Sequence, residues 1–154
     1  MYDLSACEGF DLITQSKGLM YSFDYKKRVR YGETDMMGYL YYGNYAQLYE
    51  IGRVETLRSL GLTYRDLEVV YGVMMPVVHV DARYILPAKY DEELTIRTIL
   101  LELPSRMIVF ENEIFNEEMQ MIHKAVVKLF FIEMSSGKKV SCPEYMLEKL
   151  RPLF

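Results

Sequence analysis

Asp35 is the residue whose surroundings most suggest chemistry. It stands in a glycine-punctuated loop, with Gly32 before it and Gly38 and Gly43 after it, just ahead of a tyrosine-rich helical pattern that runs past Arg53. A carboxylate beside an electrophilic carbonyl can act as a general base toward water or attack directly to form an anhydride. A helix that begins just beyond it brings free backbone N–H groups and the positive end of a dipole, both suited to a developing oxyanion. The backbone from Tyr42 to Tyr45 lies at that junction. Together these features point to acyl chemistry. The same spacing also fits a turn or capping aspartate, whose short side chain bonds nearby backbone.

Other side chains offer themselves less sharply. Glu50 is a second carboxylate on the same helix, able to line a site or simply to pair with Arg53 three residues on. Tyr41, Tyr45 and Tyr49 recur at helical spacing, which suits either an aromatic pocket with polar tips or packing of one helical face. His79, Asp81 and Arg83 share one face of a strand, an arrangement that more often marks a polar surface than an acid–base cluster.

These residues need elements to hold them. Alternation from Phe23 predicts a half-buried first strand with Tyr25, Val29 and Tyr31 on one face and Lys26, Arg28 and Arg30 on the other. Asn44 suits the N-cap of a helix running through Tyr45, Leu48, Tyr49, Gly52, Leu57 and Leu60, and Gly61 is its stop signal. Thr63 to Val70 reads as a short helical segment before Gly72 and Pro76 interrupt the chain. Strand two pairs Val78, Val80, Ala82 and Tyr84 against His79, Asp81 and Arg83 and ends at Pro87.

Two further strands alternate through Leu94, Ile96, Thr98 and Leu100 and through Ile108, Phe110 and Ile114, with Pro104 and Ser105 between them. After a turn at Asn116 to Glu118, the run from Met121 to Glu133 is apolar on both faces apart from His123, Lys124 and Lys128, so a central strand is expected. One strand, one long helix and four strands predict an α+β domain in which an antiparallel sheet wraps a helix.

Composition narrows the function classes. At 154 residues the chain fits a single domain, assigned to residues 21–154, with residues 1–20 read as a flexible extension and Met20 as an alternative translation start. A net charge of −4 without a basic run argues against nucleic-acid binding. Cys7 and Cys142 form no disulfide framework or CxxC motif, and His79 and His123 lack zinc-ligand spacing, so a reducing cytoplasm and no metal are expected. No secretory signal and no bilayer-spanning stretch is evident.

Thr34, Asp35, Gly38, Tyr41, Asn44, Tyr45, Glu50 and Arg53, with the Pro87 to Glu92 segment, resemble the 4-hydroxybenzoyl-CoA thioesterase and YbgC-like acyl-CoA thioesterase family over about Tyr25 to Pro143. The resemblance implies a hotdog fold, a five-stranded antiparallel sheet around one long central helix. It implies hydrolysis of an acyl-CoA thioester with no metal or redox cofactor, coenzyme A being part of the substrate. Asp35 takes the role of general base or nucleophile, and the Tyr42 N–H polarises the carbonyl. Many YbgC-like sequences carry histidine where this chain has Tyr42.

Glu50, Tyr45 and Arg106 are the expected substrate contacts, with Lys89, Lys124 and Lys128 as further candidates for the coenzyme A phosphates. An acyl carrier protein is the alternative carrier of the acyl group. A homotetramer, a dimer of dimers with sites near subunit boundaries, is implied as well. Two other readings share the fold: a hydroxyacyl-thioester dehydratase, which would use a histidine that the loop–helix segment lacks, and a noncatalytic acyl-binding protein.

Overall fold

The computed structural model describes residues 20–154, so the expected N-terminal extension falls outside the described residues except for Met20. Strand β1 (Tyr21–Arg28) leads through a 3-10 turn (Tyr31–Glu33), the Asp35 loop and a second 3-10 turn (Tyr42–Asn44) into helix α1 (Tyr45–Ser59). A short helix α2 (Tyr64–Val69) and strand β2 (Val73–Met74) follow. The chain continues as β3 (Val77–Tyr84), β4 (Glu93–Leu100), β5 (Met107–Phe115), β6 (Met121–Glu133), β7 (Lys139–Val140) and helix α3 (Glu144–Leu150).

The strands form one antiparallel sheet with the path β1-β4-β5-β6 and with β3 and β2 on the other side of β6. This is the hotdog arrangement, with α1 packed against β1, β4 and β5. The sheet has seven strands rather than five. The additional two, β2 and β7, are two residues long and pair only with the far end of β6, too short to show any periodicity. The long apolar β6 is central, as its composition predicts, because it is paired on both sides.

The core lies between α1 and the sheet. Helix α1 buries Tyr45, Leu48, Tyr49, Gly52, Thr56 and Leu57. Facing residues Leu94, Ile96, Thr98 and Leu100 from β4 and Ile108, Phe110 and Ile114 from β5 are essentially inaccessible. Gly52 sets how close the helix comes: a Cβ there would lie 2.9 Å from Ile96 Cγ2 and would collide with Thr98 Oγ1. At the other end of α1, Gly61 adopts φ 71° and ends the helix in a Schellman motif. The Leu62 N–H bonds Leu57 O and the Gly61 N–H bonds Arg58 O, each at 2.9 Å.

Three local expectations change. Tyr31 leaves the β1 face, because the strand ends at Arg28 and Tyr31 opens an exposed 3-10 turn. Asn44 stands at the start of α1 but makes no side-chain cap, since the preceding 3-10 turn already continues into the helix; its Nδ2 instead donates to Glu33 O at 2.8 Å. Alternation in β3 does not divide it into wet and dry faces. All eight of its residues are exposed, because β3 is an outer strand and α1 packs elsewhere.

Candidate functional site

The Asp35 loop is a closed hairpin. Thr34 and Leu40 form a bridge, the Asp35 N–H donates to Tyr39 O at 2.9 Å, and the Gly38 N–H returns to Asp35 O at 3.0 Å. Gly38 takes φ 78°, the left-handed conformation that glycine adopts without a steric cost. The returning limb pairs with the Pro87 to Lys89 segment: the Leu40 N–H donates to Ala88 O at 2.8 Å and Tyr39 bridges Lys89. Upstream, Lys27 Nζ meets Glu33 at 2.6 Å, and Glu33 Oε2 also accepts the Arg30 N–H at 2.8 Å. Burial works to raise the Glu33 carboxyl, but the Arg30 N–H and the Lys27 ammonium outweigh it and hold the group below its ordinary range.

Within this frame Asp35 Oδ1 accepts the N–H groups of Met37 at 2.9 Å and Tyr39 at 3.3 Å. Those bonds form a side-chain turn, and they also hold the carboxylate in one orientation. The carboxylate lines a cavity of about 240 Å³, together with Met37, Tyr39, Leu40, Tyr42, Tyr45 and the segment from Tyr84 to Pro87. Asp35, Tyr42 and Tyr45 are thus brought together by the loop, the 3-10 turn and the first residue of α1. Among the described residues the Tyr42 N–H meets no backbone acceptor, whereas the Tyr41 N–H donates to Glu33 O at 2.9 Å.

Glu50 and Arg106 are not part of this cavity. Glu50 is exposed on α1, and Arg53 Nε donates to Tyr64 Oη at 3.0 Å; the alternative Glu50–Arg53 ion pair is not among those of the described residues. Arg106 is exposed in the β4–β5 connection. The register places it at the opposite end of the sheet, since the Asp35 loop follows Arg28, paired with Glu93, whereas Arg106 lies beyond Leu100, paired with Tyr21. Lys124 and Lys128 occupy the face of β6 opposite His123, and His79 is exposed on β3. The tyrosine stripe divides: Tyr41 is exposed against the Tyr42 ring, whereas Tyr45 and Tyr49 are buried.

Behind the cavity lies a cluster that sequence periodicity does not reveal. Tyr45 and Tyr84 meet edge to face with ring centroids 5.1 Å apart, and the buried His123 ring lies 4.3 Å from Tyr45 and 4.6 Å from Tyr84. Tyr49 Oη and His123 Nε2 share a hydrogen bond, while among the described residues His123 Nδ1 has no partner. A bulge in β6 at Ile122 turns His123 toward α1, because Ile114 pairs with His123 while Phe115 pairs with Met121. Burial lowers the His123 pKa to about 4 and raises that of Tyr45 to about 12, so both rings stay neutral. Tyr49 is pushed up chiefly by burial and further by the neighbouring Tyr84 and Tyr45. The sequence signals for this cluster are the helical spacing of Tyr45 and Tyr49 and the break that His123 makes in an apolar run; nothing in the sequence joins them to Tyr84, the last residue of β3.

The arrangement offers a carboxylate with one oxygen held by two N–H groups, an apolar cavity beside it, and an N–H at the turn into the helix. Among the described residues no three metal-ligating side chains converge. The family model of the thioesterase superfamily matches residues 37–123. The chain is 32% identical to the Bacillus subtilis protein YneP over 112 residues, which cover 73% of this chain and 80% of YneP. It is 30% identical to the acyl-CoA thioesterase YbgC of Haemophilus influenzae over 122 residues, 79% of this chain and 89% of that protein. Among solved structures, the DHNA-CoA thioesterase from Staphylococcus aureus superposes with a TM-score of 0.78 at 28% identity, covering 86% of this chain and 92% of that one. By the family model, by these identities and by its sheet wrapped on α1, the chain belongs to the thioesterase superfamily.

Proposed function

We propose that the chain hydrolyses an acyl-CoA thioester to a free acid and coenzyme A at the Asp35 cavity. The observation that carries this reading is that Asp35 and Tyr42 line the same apolar cavity of about 240 Å³. A relative named as an acyl-CoA thioesterase, YbgC of Haemophilus influenzae, supports the substrate class. Asp35 acts as general base toward water or as nucleophile on the carbonyl carbon, and the Tyr42 N–H donates to the oxygen on which charge develops. A neutral thioester becomes an oxyanion in the transition state, so an N–H aimed at that oxygen stabilises the transition state more than the ground state.

Tyr45 supplies the cavity wall for the acyl group. Glu50 and Arg106 contact substrate from outside their own cavity: Arg106, at the far end of the sheet, reaches coenzyme A phosphates only from a neighbouring copy in a homotetramer. An acyl carrier protein is the competing acyl donor. A reducing cytoplasm is the compartment assigned to the activity, consistent with two cysteines and no disulfide pattern.

The test is thiol release from a panel of short, long and aromatic acyl-CoAs, with acyl carrier protein thioesters in parallel, for wild type and Asp35→Asn. Wild type is expected to release thiol and Asp35→Asn to lose at least about a hundredfold in kcat, the scale of a lost general base. Equal hydrolysis by the two proteins would refute the role of Asp35. Stoichiometric binding without thiol release identifies a noncatalytic binding protein, and alkene formation from a hydroxyacyl thioester identifies a dehydratase.

A further inference from the structure

We infer that Tyr84, at the end of β3, is a positioning residue that helps aim the Tyr42 N–H at the thioester carbonyl by holding Tyr42 O, in the next peptide of the turn, from the opposite wall of the cavity. The inference rests on the reading of Tyr42 as the carbonyl donor. Tyr84 Oη donates to Tyr42 O at 3.2 Å, and the same carbonyl accepts the Tyr45 N–H from the start of α1. On the other side, the Tyr41 N–H is tied to Glu33 O. The Tyr42 N–H shares its peptide plane with Tyr41 O, which accepts the Asn44 N–H at 2.9 Å, and the peptide groups on either side are anchored through the Tyr41 N–H and Tyr42 O. Its direction is set without spending its own donor.

Tyr84 is suited to this task although it is 45% exposed. Its ring packs at 81° on Tyr45 and at 68° on His123, its partner in the β3–β6 register. Just beyond it, the Ile85 and Leu86 N–H groups both reach Ile122 O, at 2.9 and 3.0 Å, so the bulge that turns His123 inward also secures the chain after Tyr84. Its hydroxyl reaches the 3-10 turn at Tyr42 O. Burial raises the Tyr84 pKa from its already high ordinary value, which keeps that hydroxyl protonated and able to donate.

Orientation of an oxyanion donor affects the transition state, whereas loss of a cavity wall affects binding as well. Tyr84→Phe removes the hydroxyl and keeps the ring. With the best substrate of the acyl-CoA panel, kcat is expected to fall about three- to tenfold, the equivalent of one hydrogen bond, with KM within about twofold and the thermal midpoint unchanged. Wild-type kcat in Tyr84→Phe, or a change confined to KM, would overturn the inference. Asp35→Asn run alongside separates the two levels. An inactive Asp35→Asn with a fully active Tyr84→Phe removes the positioning role alone, whereas Asp35→Asn at wild-type rate removes the reading of the site and this inference with it.

Discussion

Asp35 Oδ1 accepts two backbone N–H groups of its own loop while the residue faces a cavity, so a role in the turn does not keep the carboxylate from the cavity. A short carboxylate that must be held still is most simply held by the loop it organises. His123 carries the opposite lesson: an imidazole with no exposure, one nitrogen against Tyr49 and the other without a partner among the described residues, is kept neutral by burial. Its folded pKa of about 4 lies below the ordinary 6.5, so between those values the unfolded chain binds the extra proton and stability rises with pH. Denaturant titrations at pH 6.5 and 4.5 are expected to show wild type losing about 2 kcal/mol more than His123→Gln on acidification. Parallel losses would show that His123 does not titrate in this way.

Helix α1 is positioned by what it lacks as much as by what it buries. At Gly52 the absence of a side chain lets the helix approach the sheet, where Thr98 Oγ1 of β4 donates to Asn112 Oδ1 of β5 at 3.3 Å beneath it. Gly52→Ala should gain up to about 1 kcal/mol of helix propensity, yet it must push the helix away from fully buried Ile96 and Thr98. A net loss of about 1–3 kcal/mol is expected in chemical denaturation. Because Tyr42 and Tyr45 ride at the start of the same helix, thiol release should fall in step; a stabilised Gly52→Ala would contradict this packing. The Schellman motif at Gly61 and the Thr63 cap on α2, accepting the Asp66 N–H at 3.0 Å, are both signalled by residue type because each depends on local backbone chemistry.

At the scale of the whole molecule the sheet is covered unevenly. Helix α1 packs on β1, β4 and β5, leaving β3 as an edge strand with Val77, Val78 and Val80 each almost half exposed. A long apolar edge invites pairing with another strand. Light scattering with size exclusion at micromolar concentration is expected to give about four times the 18.2 kDa chain mass. A folded monomer would remove the assembly, and with it the contribution of Arg106 from a neighbouring copy.

The long strands, α1, α2, the central place of β6 and the loop carrying Asp35 are legible in the sequence, because period, glycine placement and capping residues act over a few positions, whereas the short β2 and β7 and the seven-residue α3 are not. Leu94, Ile96, Thr98 and Leu100 announce their inward face by alternation alone. Only the tertiary structure decided that Tyr84 and His123 meet Tyr45, that Glu50 and Arg106 stand away from the cavity, and that Asn44 braces Glu33 instead of capping α1. Those contacts join residues far apart in the chain through strand register and the bulge at Ile122. Register is set by the summed fit of the whole sheet against the helix, and no short stretch of sequence records it.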